Sequence, residues 1–486
     1  MAKRVKFKLN GREVEADEGR LVIDAAKDEG VEIPHYCYHP ALGNPGNCRM
    51  CIVEVAGAPK PQVSCRTGVR EGMDVRSDSD VAKRAQASAL ELHLVNHPLD
   101  CPVCDQSGEC GLQDYYMKVG QYQSQVREDK QHKDKRITAG PHVMLDQERC
   151  ILCTRCTRFV DDVTKTHELG IFRRGHEERI ELTPGKVLDN DYSGNVVDIC
   201  PVGALTDRDF RYKVRVWYLD KTDSVCPGCS RGCNISVHTN TARPWHNDGK
   251  RVARLKPRHN PDVNGYWMCD DGRYGFGSLD KDRLGRVLRV TPQKRDVAWE
   301  AAAEEIAPKL KEGGVAFVAS GMLSNEDWAA AKSLFAGAKF YFTPEPDQVG
   351  DEDKLLKKKD KVPNLKGTDL TSGSFDELAK ELEAGKVKTL YIVERDLGKI
   401  WGEERAKALI AKAAFSVFQG PNKCAISESV HYRLPATAYV EESGHFTNFE
   451  GKVQGYKKAL DPIGEARPDH EIFGLIAAAL KGKVAA

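Results

Sequence analysis

Cys150-Ile151-Leu152-Cys153-Thr154-Arg155-Cys156 sets three thiols at C-x2-C-x2-C spacing, and Cys200-Pro201 supplies a fourth thiol far downstream. Three thiolates this close can wrap one side of a cubane, and the triplet has the ligand spacing of a [4Fe–4S] cluster. Zinc suits it poorly, because a third cysteine so near strains a tetrahedral site. Val160 stands where a nearby fourth cysteine would be. No second triplet precedes Cys200, so one cluster on Cys150, Cys153, Cys156 and Cys200 is the simplest accounting.

Three further constellations lie on either side. Upstream, His97-Pro98-Leu99-Asp100-Cys101 opens the pattern H-x3-C-x2-C-x5-C over His97, Cys101, Cys104 and Cys110. Four ligands within fourteen residues can wrap one cubane, and a neutral imidazole in place of a thiolate favours the reduced, more negative cluster. Spacing alone also allows a zinc knuckle with three cysteines and one histidine. Further upstream, Cys37, Cys48, Cys51 and Cys65 form C-x10-C-x2-C-x13-C. A [2Fe–2S] rhomb takes two thiolates per iron from two sides. Residues 43–47, Gly-Asn-Pro-Gly-Asn, tighten that loop and let backbone N–H groups turn toward sulfur. A four-cysteine zinc site usually pairs two C-x2-C knuckles, and here there is one. Downstream, Cys226, Cys229 and Cys233 give C-x2-C-x3-C, with Cys269 after a long gap. This again suits a cubane, with a zinc site that only staples the fold as the alternative.

The chain has 486 residues, 73 Lys and Arg against 72 Asp and Glu, and sixteen cysteines, of which only Cys424 lies beyond residue 270. Such clustering suits chelation rather than a disulfide scaffold. The charge balance gives no reason to expect nucleic acid or anionic lipid as a partner. No window approaches the apolar length of a membrane span. Residues 1–10 are charged and alternating, unlike a signal peptide, so a cytoplasmic protein that reaches a membrane only through partners is expected. Cys424 reads as a buried small residue.

Local patterns divide the chain. Val5, Phe7 and Leu9 alternate up to Asn10-Gly11, and a second alternating stretch surrounds Val14, which predicts a β-hairpin on a primed turn. Residues 21–28 read as a helix ending at Gly30, and 51–55 as a strand, so 1–78 is a compact α+β, β-grasp-like unit. Residues 79–96 read as a helix stopped before Pro98. The second set falls in 79–120, and a charged linker is expected over 121–136. The third and fourth sets occupy 140–212 and 219–275. From 276 to 486, helical patterns such as 298–311 alternate with short apolar strands at 315–319 and 389–393, which predicts α/β structure with a parallel sheet. The Lys-rich stretch 354–369, broken by Pro363, reads as a surface loop. No P-loop or dinucleotide glycine fingerprint occurs.

The order of the motifs resembles the family of large iron–sulfur (G) subunits of bacterial NADH–quinone oxidoreductase (complex I). The resemblance rests on Asn47-Cys48-Arg49-Met50-Cys51, His97-Pro98-Leu99-Asp100-Cys101, Cys150-Ile151-Leu152-Cys153 and Cys200-Pro201-Val202-Gly203-Ala204-Leu205. It covers 1–275 strongly. It implies a plant-type [2Fe–2S] ferredoxin-like unit, a one-His/three-Cys [4Fe–4S] segment, a [4Fe–4S] ferredoxin-like unit and the cluster domain of molybdopterin enzymes. Leu434-Pro435-Ala436 and residues 446–454 resemble the late motif of a molybdopterin-oxidoreductase domain, in shortened form and with no early cysteine, so no molybdopterin is expected. The family role implies electrons entering from NADH at a flavin in a partner subunit and leaving toward quinone, coupled to proton translocation by the whole complex. The fourth cluster would stand off the main path. The implied place is peripheral, on the cytoplasmic side of the plasma membrane, among other peripheral-arm subunits. A formate dehydrogenase would need a longer cofactor domain, a hydrogenase would need further cysteine motifs after residue 280, and a zinc-stapled interaction protein would carry no sulfide.

Overall fold

The computed structural model describes residues 3–342, 349–368 and 372–482. The chain forms two compact units, Met1–Tyr218 and Leu219–Ala486.

In the first unit, Arg4–Leu9 and Arg12–Asp17 pair in antiparallel register, Leu9 opposite Arg12. Asn10 and Gly11 between them have φ of 52° and 80°, the double positive φ that a primed turn needs. Arg4–Leu9 also runs parallel to Asp74–Arg76, giving a five-stranded sheet completed by Ile52–Val55 and Gln62–Val63. The helix Val22–Asp28 lays Val22, Ile23, Ala25 and Ala26 against it. The same core takes in Cys51 and Cys65, so the second half of the first cysteine set is part of the packing itself. The helix Asp80–Leu94 starts at Ser79, whose hydroxyl accepts from the Ala82 N–H at 3.1 Å. Gln86 on it donates to the Ile52 carbonyl at 2.9 Å, which docks the second segment on the first sheet. A three-stranded sheet of Ile137–Thr138, Val143–Leu145 and Leu205–Asp207, with the hairpin Leu169–Phe172 and Arg179–Leu182, frames the third segment. Its helix Arg155–Arg158 passes directly into a π turn, Phe159–Val163.

In the second unit, Asp220–Val225, Asn234–Thr239 and Val252–Pro257 form an antiparallel sheet beside the short helix Asp270–Tyr274. Beyond it lies a seven-stranded sheet in the order Arg295–Asp296, Leu288–Arg289, Tyr432–Pro435, Phe415–Gly420, Thr389–Val393, Val315–Val318, Lys339–Tyr341. The last five are mutually parallel and the first two are antiparallel edge strands. One face packs Trp299, Ile306, Trp328, Phe335 and Phe473 from helices Trp299–Lys311, Asn325–Leu334 and Asp469–Leu480. The other packs Leu378, Leu382, Leu409 and Ile410 from Phe375–Glu383 and Glu403–Ile410. This is a doubly wound α/β layer whose strand order reverses between the parallel neighbours Val315–Val318 and Thr389–Val393, the place where such sheets open a crevice.

The stretch 354–369 is not a surface loop. Leu356, Lys357, Val362, Asn364 and Thr368 are all buried. Asn364 donates to the Leu323 carbonyl at 2.8 Å and Lys357 pairs with Asp271 and Asp351. Lysine stems cover apolar surface while their heads find carboxylates, which a count of charges does not reveal. Asp369 lies outside the described residues.

The second unit also holds a group of interacting carboxyls. Burial, then Glu442 and Asp327, pushes Glu394 up to about 8. Burial, then Asp327, pushes Glu442 up to about 7, and burial followed by Glu394 raises Asp469 well above its usual range. The folded state therefore binds more protons than the unfolded chain above the ordinary carboxyl range. The stability this contributes is fully present below about pH 4 and is lost as pH rises through about 7 to 8. Urea unfolding followed by tryptophan fluorescence should give an unfolding free energy lower at about pH 8 than at about pH 5 by on the order of 2 kcal/mol. Five of the six tryptophans lie in this unit. Glu394→Gln should flatten the dependence, and an equal pH dependence in that variant would refute the assignment.

Candidate iron–sulfur sites

Cys37, Cys48, Cys51 and Cys65 are all buried. Cys37 is held down by the Cys48 thiol and by the N–H groups of Cys48, Asn47 and Gly46, and Cys51 is held down by the Cys65 thiol. Two pairs of thiols facing one another is the donor arrangement of a rhomb. Gly43, Gly46 and Arg49 have φ of 74°, 71° and 58°, which turns N–H groups of the loop toward sulfur. A Cβ on Gly46 would meet Arg66 Cδ at 2.7 Å.

At the second set, His97, Cys101 and Cys110 line one cavity of about 340 Å³ with Leu99, Leu112 and Tyr116. Nδ1 of His97 is buried with no hydrogen-bond partner. Burial pushes its pKa down to about 4, so the ring is neutral near pH 7, the form that ligates. Cys104 lies outside that lining, electrostatically joined to Cys101.

Cys150, Cys153, Cys156 and Cys200 line one apolar cavity with Leu145 and Ile180. Burial pushes the Cys150 thiol up to about 12 and the Cys153 thiol up to about 11. Four thiols so placed have no good charged form without a cation to hold. Leu152 and Thr154 adopt φ of 53° and 63°, and the Leu152 N–H donates to Cys150 Sγ at 3.4 Å. N–H groups of Val202, Leu205 and Ala204 face Cys200.

In the second unit, Cys226, Cys229, Cys233 and Cys269 are buried together, and each of the other three acts electrostatically on Cys233. Cys269 caps its helix, Sγ accepting from the Gly272 N–H at 3.4 Å. A Cβ on Gly272 would stand 2.8 Å from Cys226 Sγ, so glycine there admits the thiol. The remote Cys269 thus stands with the triplet. A cavity of about 370 Å³ adjoins it, lined by Cys226, Asp271, Met322, Glu394, Asn422 and Cys424 among others. Cys424 is half-buried at this cavity, not a fully buried filler. Among the described residues, no three His, Cys, Asp or Glu side chains are drawn to single-ion spacing.

The first unit ties its three sets together through residues that no motif marks. Arg155, inside the triplet, donates from Nη2 to the Tyr38 carbonyl at 2.5 Å and from Nη1 to the Ile199 carbonyl at 3.2 Å. One guanidinium therefore joins the residue after Cys37 to the residue before Cys200. Arg158 donates to the carbonyls of Cys37 and Leu42, and Asn47 Nδ2 donates to the Leu152 carbonyl at 3.3 Å. Toward the second set, the Gly111 N–H donates to the Pro201 carbonyl at 2.9 Å. Arg149 grips Asp100 with Nη2–Oδ2 at 2.6 Å, and Lys135 reaches the same carboxylate at 3.3 Å. The third segment thus contacts both of the first two, a closeness that chain position does not give. The only signal in the sequence is the arginines within or beside the third motif, Arg149, Arg155 and Arg158.

The profile described as 2Fe-2S iron-sulfur cluster binding domain matches residues 2–80. NADH-ubiquinone oxidoreductase-G iron-sulfur binding region matches 86–125, and NADH-quinone oxidoreductase subunit 3, ferredoxin-like domain, matches 140–206. Molybdopterin oxidoreductase Fe4S4 domain matches 219–281, and Molybdopterin oxidoreductase matches 355–479. Fold and thiol sets together define an iron–sulfur protein with both [2Fe–2S] and [4Fe–4S] binding domains. The G subunit of NADH-quinone oxidoreductase from Rickettsia conorii is 29% identical over 600 aligned positions, covering 98% of this chain and 88% of that one. The Streptomyces coelicolor protein of the same name is 40% identical over 339, covering 68% and 39%. The chain belongs to this family, the large iron–sulfur subunits of NADH-quinone oxidoreductase (complex I), and transfers electrons in the peripheral arm. An NAD+-reducing [NiFe]-hydrogenase solved in the H2-reduced state is 31% identical over 44% of this chain and 91% of that one, with TM-score 0.40. Among the described residues no helix is long and apolar enough to cross a membrane.

Proposed function

We propose that the chain holds one [2Fe–2S] cluster on Cys37, Cys48, Cys51 and Cys65. Three [4Fe–4S] clusters take His97, Cys101, Cys104 and Cys110; Cys150, Cys153, Cys156 and Cys200; and Cys226, Cys229, Cys233 and Cys269. The division at 1–78, 79–120, 140–212, 219–275 and 276–486 follows these sets. An iron–sulfur cluster, when bound, supplies one-electron transfer. The chain supplies what surrounds it: thiolates and one imidazole, backbone N–H groups aimed at sulfur, and apolar walls that exclude water. Electrons would come from NADH through a flavin-bearing partner subunit and leave toward quinone through other peripheral-arm subunits, on the cytoplasmic side of the membrane.

The observation that carries this reading is the position of the Cys150 set. Its segment contacts the Cys37 loop through Arg155 and Arg158, and the Cys110 segment through Pro201. Three donor sets in contiguous protein support a conduit in which the Cys150 set adjoins both of the others. The cavity beside Cys226, about 370 Å³, is at the small end of ligand pockets, which supports a domain that binds no bis-dinucleotide molybdopterin.

Anaerobically purified protein should contain about 14 irons and as many labile sulfides per chain. About 10 would remove one cubane from the proposal. Zinc with almost no sulfide would refute it.

A further inference from the structure

Arg155 stands between Cys153 and Cys156 in the triplet, and its side chain lines the same cavity as Cys150, Cys153, Cys156 and Cys200. Its guanidinium meets only neutral acceptors. Nη1 donates to the Ile199 carbonyl at 3.2 Å and Nη2 to the Tyr38 carbonyl at 2.5 Å. Nε is buried with no hydrogen-bond partner. Among the described residues Arg155 makes no ion pair.

Arg149 and Arg283 show the ordinary arrangement, in which a carboxylate takes the charge: Arg149 grips Asp100 at 2.6 Å and Arg283 grips Glu441 at 2.8 Å. Arg158, one turn after Arg155, repeats the exception. It donates to the carbonyls of Cys37 and Leu42 and to Thr154 Oγ1 at 3.2 Å. A guanidinium drawn partly out of water calls for a counter-charge, and it keeps its own charge at any working pH. The groups that share a cavity with Arg155 and can carry negative charge are the four thiols. A cluster on four thiolates is an anion, and reduction makes it more so. A fixed positive charge at the wall therefore favours the reduced state.

We propose that Arg155 is the counter-charge of the cluster held by Cys150, Cys153, Cys156 and Cys200, and so raises its potential. The inference rests on that set holding a cluster. The carbonyls of Tyr38 and Ile199 fix the guanidinium in place without neutralising it. A carboxylate in either position would cancel the charge that the cluster feels.

The test compares Arg155→Met with Arg155→Lys in the cluster-loaded complex. Both variants lose the fork on two carbonyls, and only lysine keeps the charge. Iron and sulfide are counted first. EPR-monitored titration should then find the Cys150-set cluster three- to tenfold harder to reduce in Arg155→Met, about 30–60 mV at 59 mV per decade. Arg155→Lys should stay within threefold of wild type. At wild-type iron content, an unmoved potential in Arg155→Met overturns the inference, and so does an equal shift in both variants, which would make Arg155 a clamp alone. Should methionine empty the site, Arg155→Gln, neutral but still able to donate to a carbonyl, is titrated in its place and read in the same way. Wild-type protein lacking a cluster at this set overturns the assignment beneath it.

Discussion

Gly203→Ala should empty the His97 set. A Cβ at Gly203 would stand 2.3 Å from Cys104 Sγ, with Gln106 Cβ at 3.1 Å and Arg149 Cδ at 3.6 Å. The backbone there is not left-handed, so alanine brings no torsional strain and the whole effect is the collision. The thiol is on a short side chain, and Gly203 follows Cys200 by three residues, so neither can withdraw without moving a proposed ligand. Iron should fall by about four per chain, while the [2Fe–2S] signal persists. Gly277→Ala, whose Cβ would meet nothing within 4 Å, should retain every iron. Full iron content in Gly203→Ala would refute the placement of Cys104 as a ligand.

Glu441→Ala should be the most damaging single change to the second unit. The Glu441 side chain is fully buried. Arg283 holds it bidentately, Nη1–Oε1 at 2.8 Å and Nη2–Oε2 at 2.5 Å, Arg251 adds a contact at 2.8 Å, and the Ala438 N–H donates at 2.9 Å. Removing the carboxylate leaves two guanidiniums without their shared counter-charge. Breaking a buried pair from one side costs about 3–5 kcal/mol, to be read as a lower urea midpoint in tryptophan fluorescence. Arg286→Ala, which loses an exposed pair with Asp296, should leave the midpoint where it was. Equal midpoints for Glu441→Ala and wild type would refute the buried network.

What could be read in advance was local. The hairpin at Asn10-Gly11, the helix begun by Ser79 and the strand Thr389–Val393 each follow from a few neighbouring residues, and each formed within a residue or two of its expected bounds. The grouping of the thiols was legible in part: the Cys37, Cys150 and Cys226 sets each come together, whereas Cys104 lies outside the cavity that His97, Cys101 and Cys110 line. Even Cys269, remote in sequence, stands with its triplet. The contacts between sets were not legible. Arg155 and Arg158 reach carbonyls more than a hundred positions away, and no periodicity encodes such a pairing. The 354–369 stretch was misread for a related reason, because composition counts charges without showing what they cover. Cys424 was misjudged because a lone thiol carries no spacing at all.

The contact of the Cys150 segment with both earlier segments also bears on how the protein is made. Everything that closes the Cys37 loop and seats Cys104 from that side, namely Arg155, Arg158 and Gly203, leaves the ribosome after both earlier sets are complete as sequence. At about 5–20 residues per second, residue 206 follows residue 125 by about 4–16 s. For that interval the first two donor sets are present as chain but lack the contacts the third segment makes with both. Maturation of all three is thereby tied to the arrival of the last-made segment: a chain stalled before it would keep Cys51 and Cys65 in the first core but leave the Cys37 loop and Cys104 without the contacts of Arg155, Arg158 and Gly203.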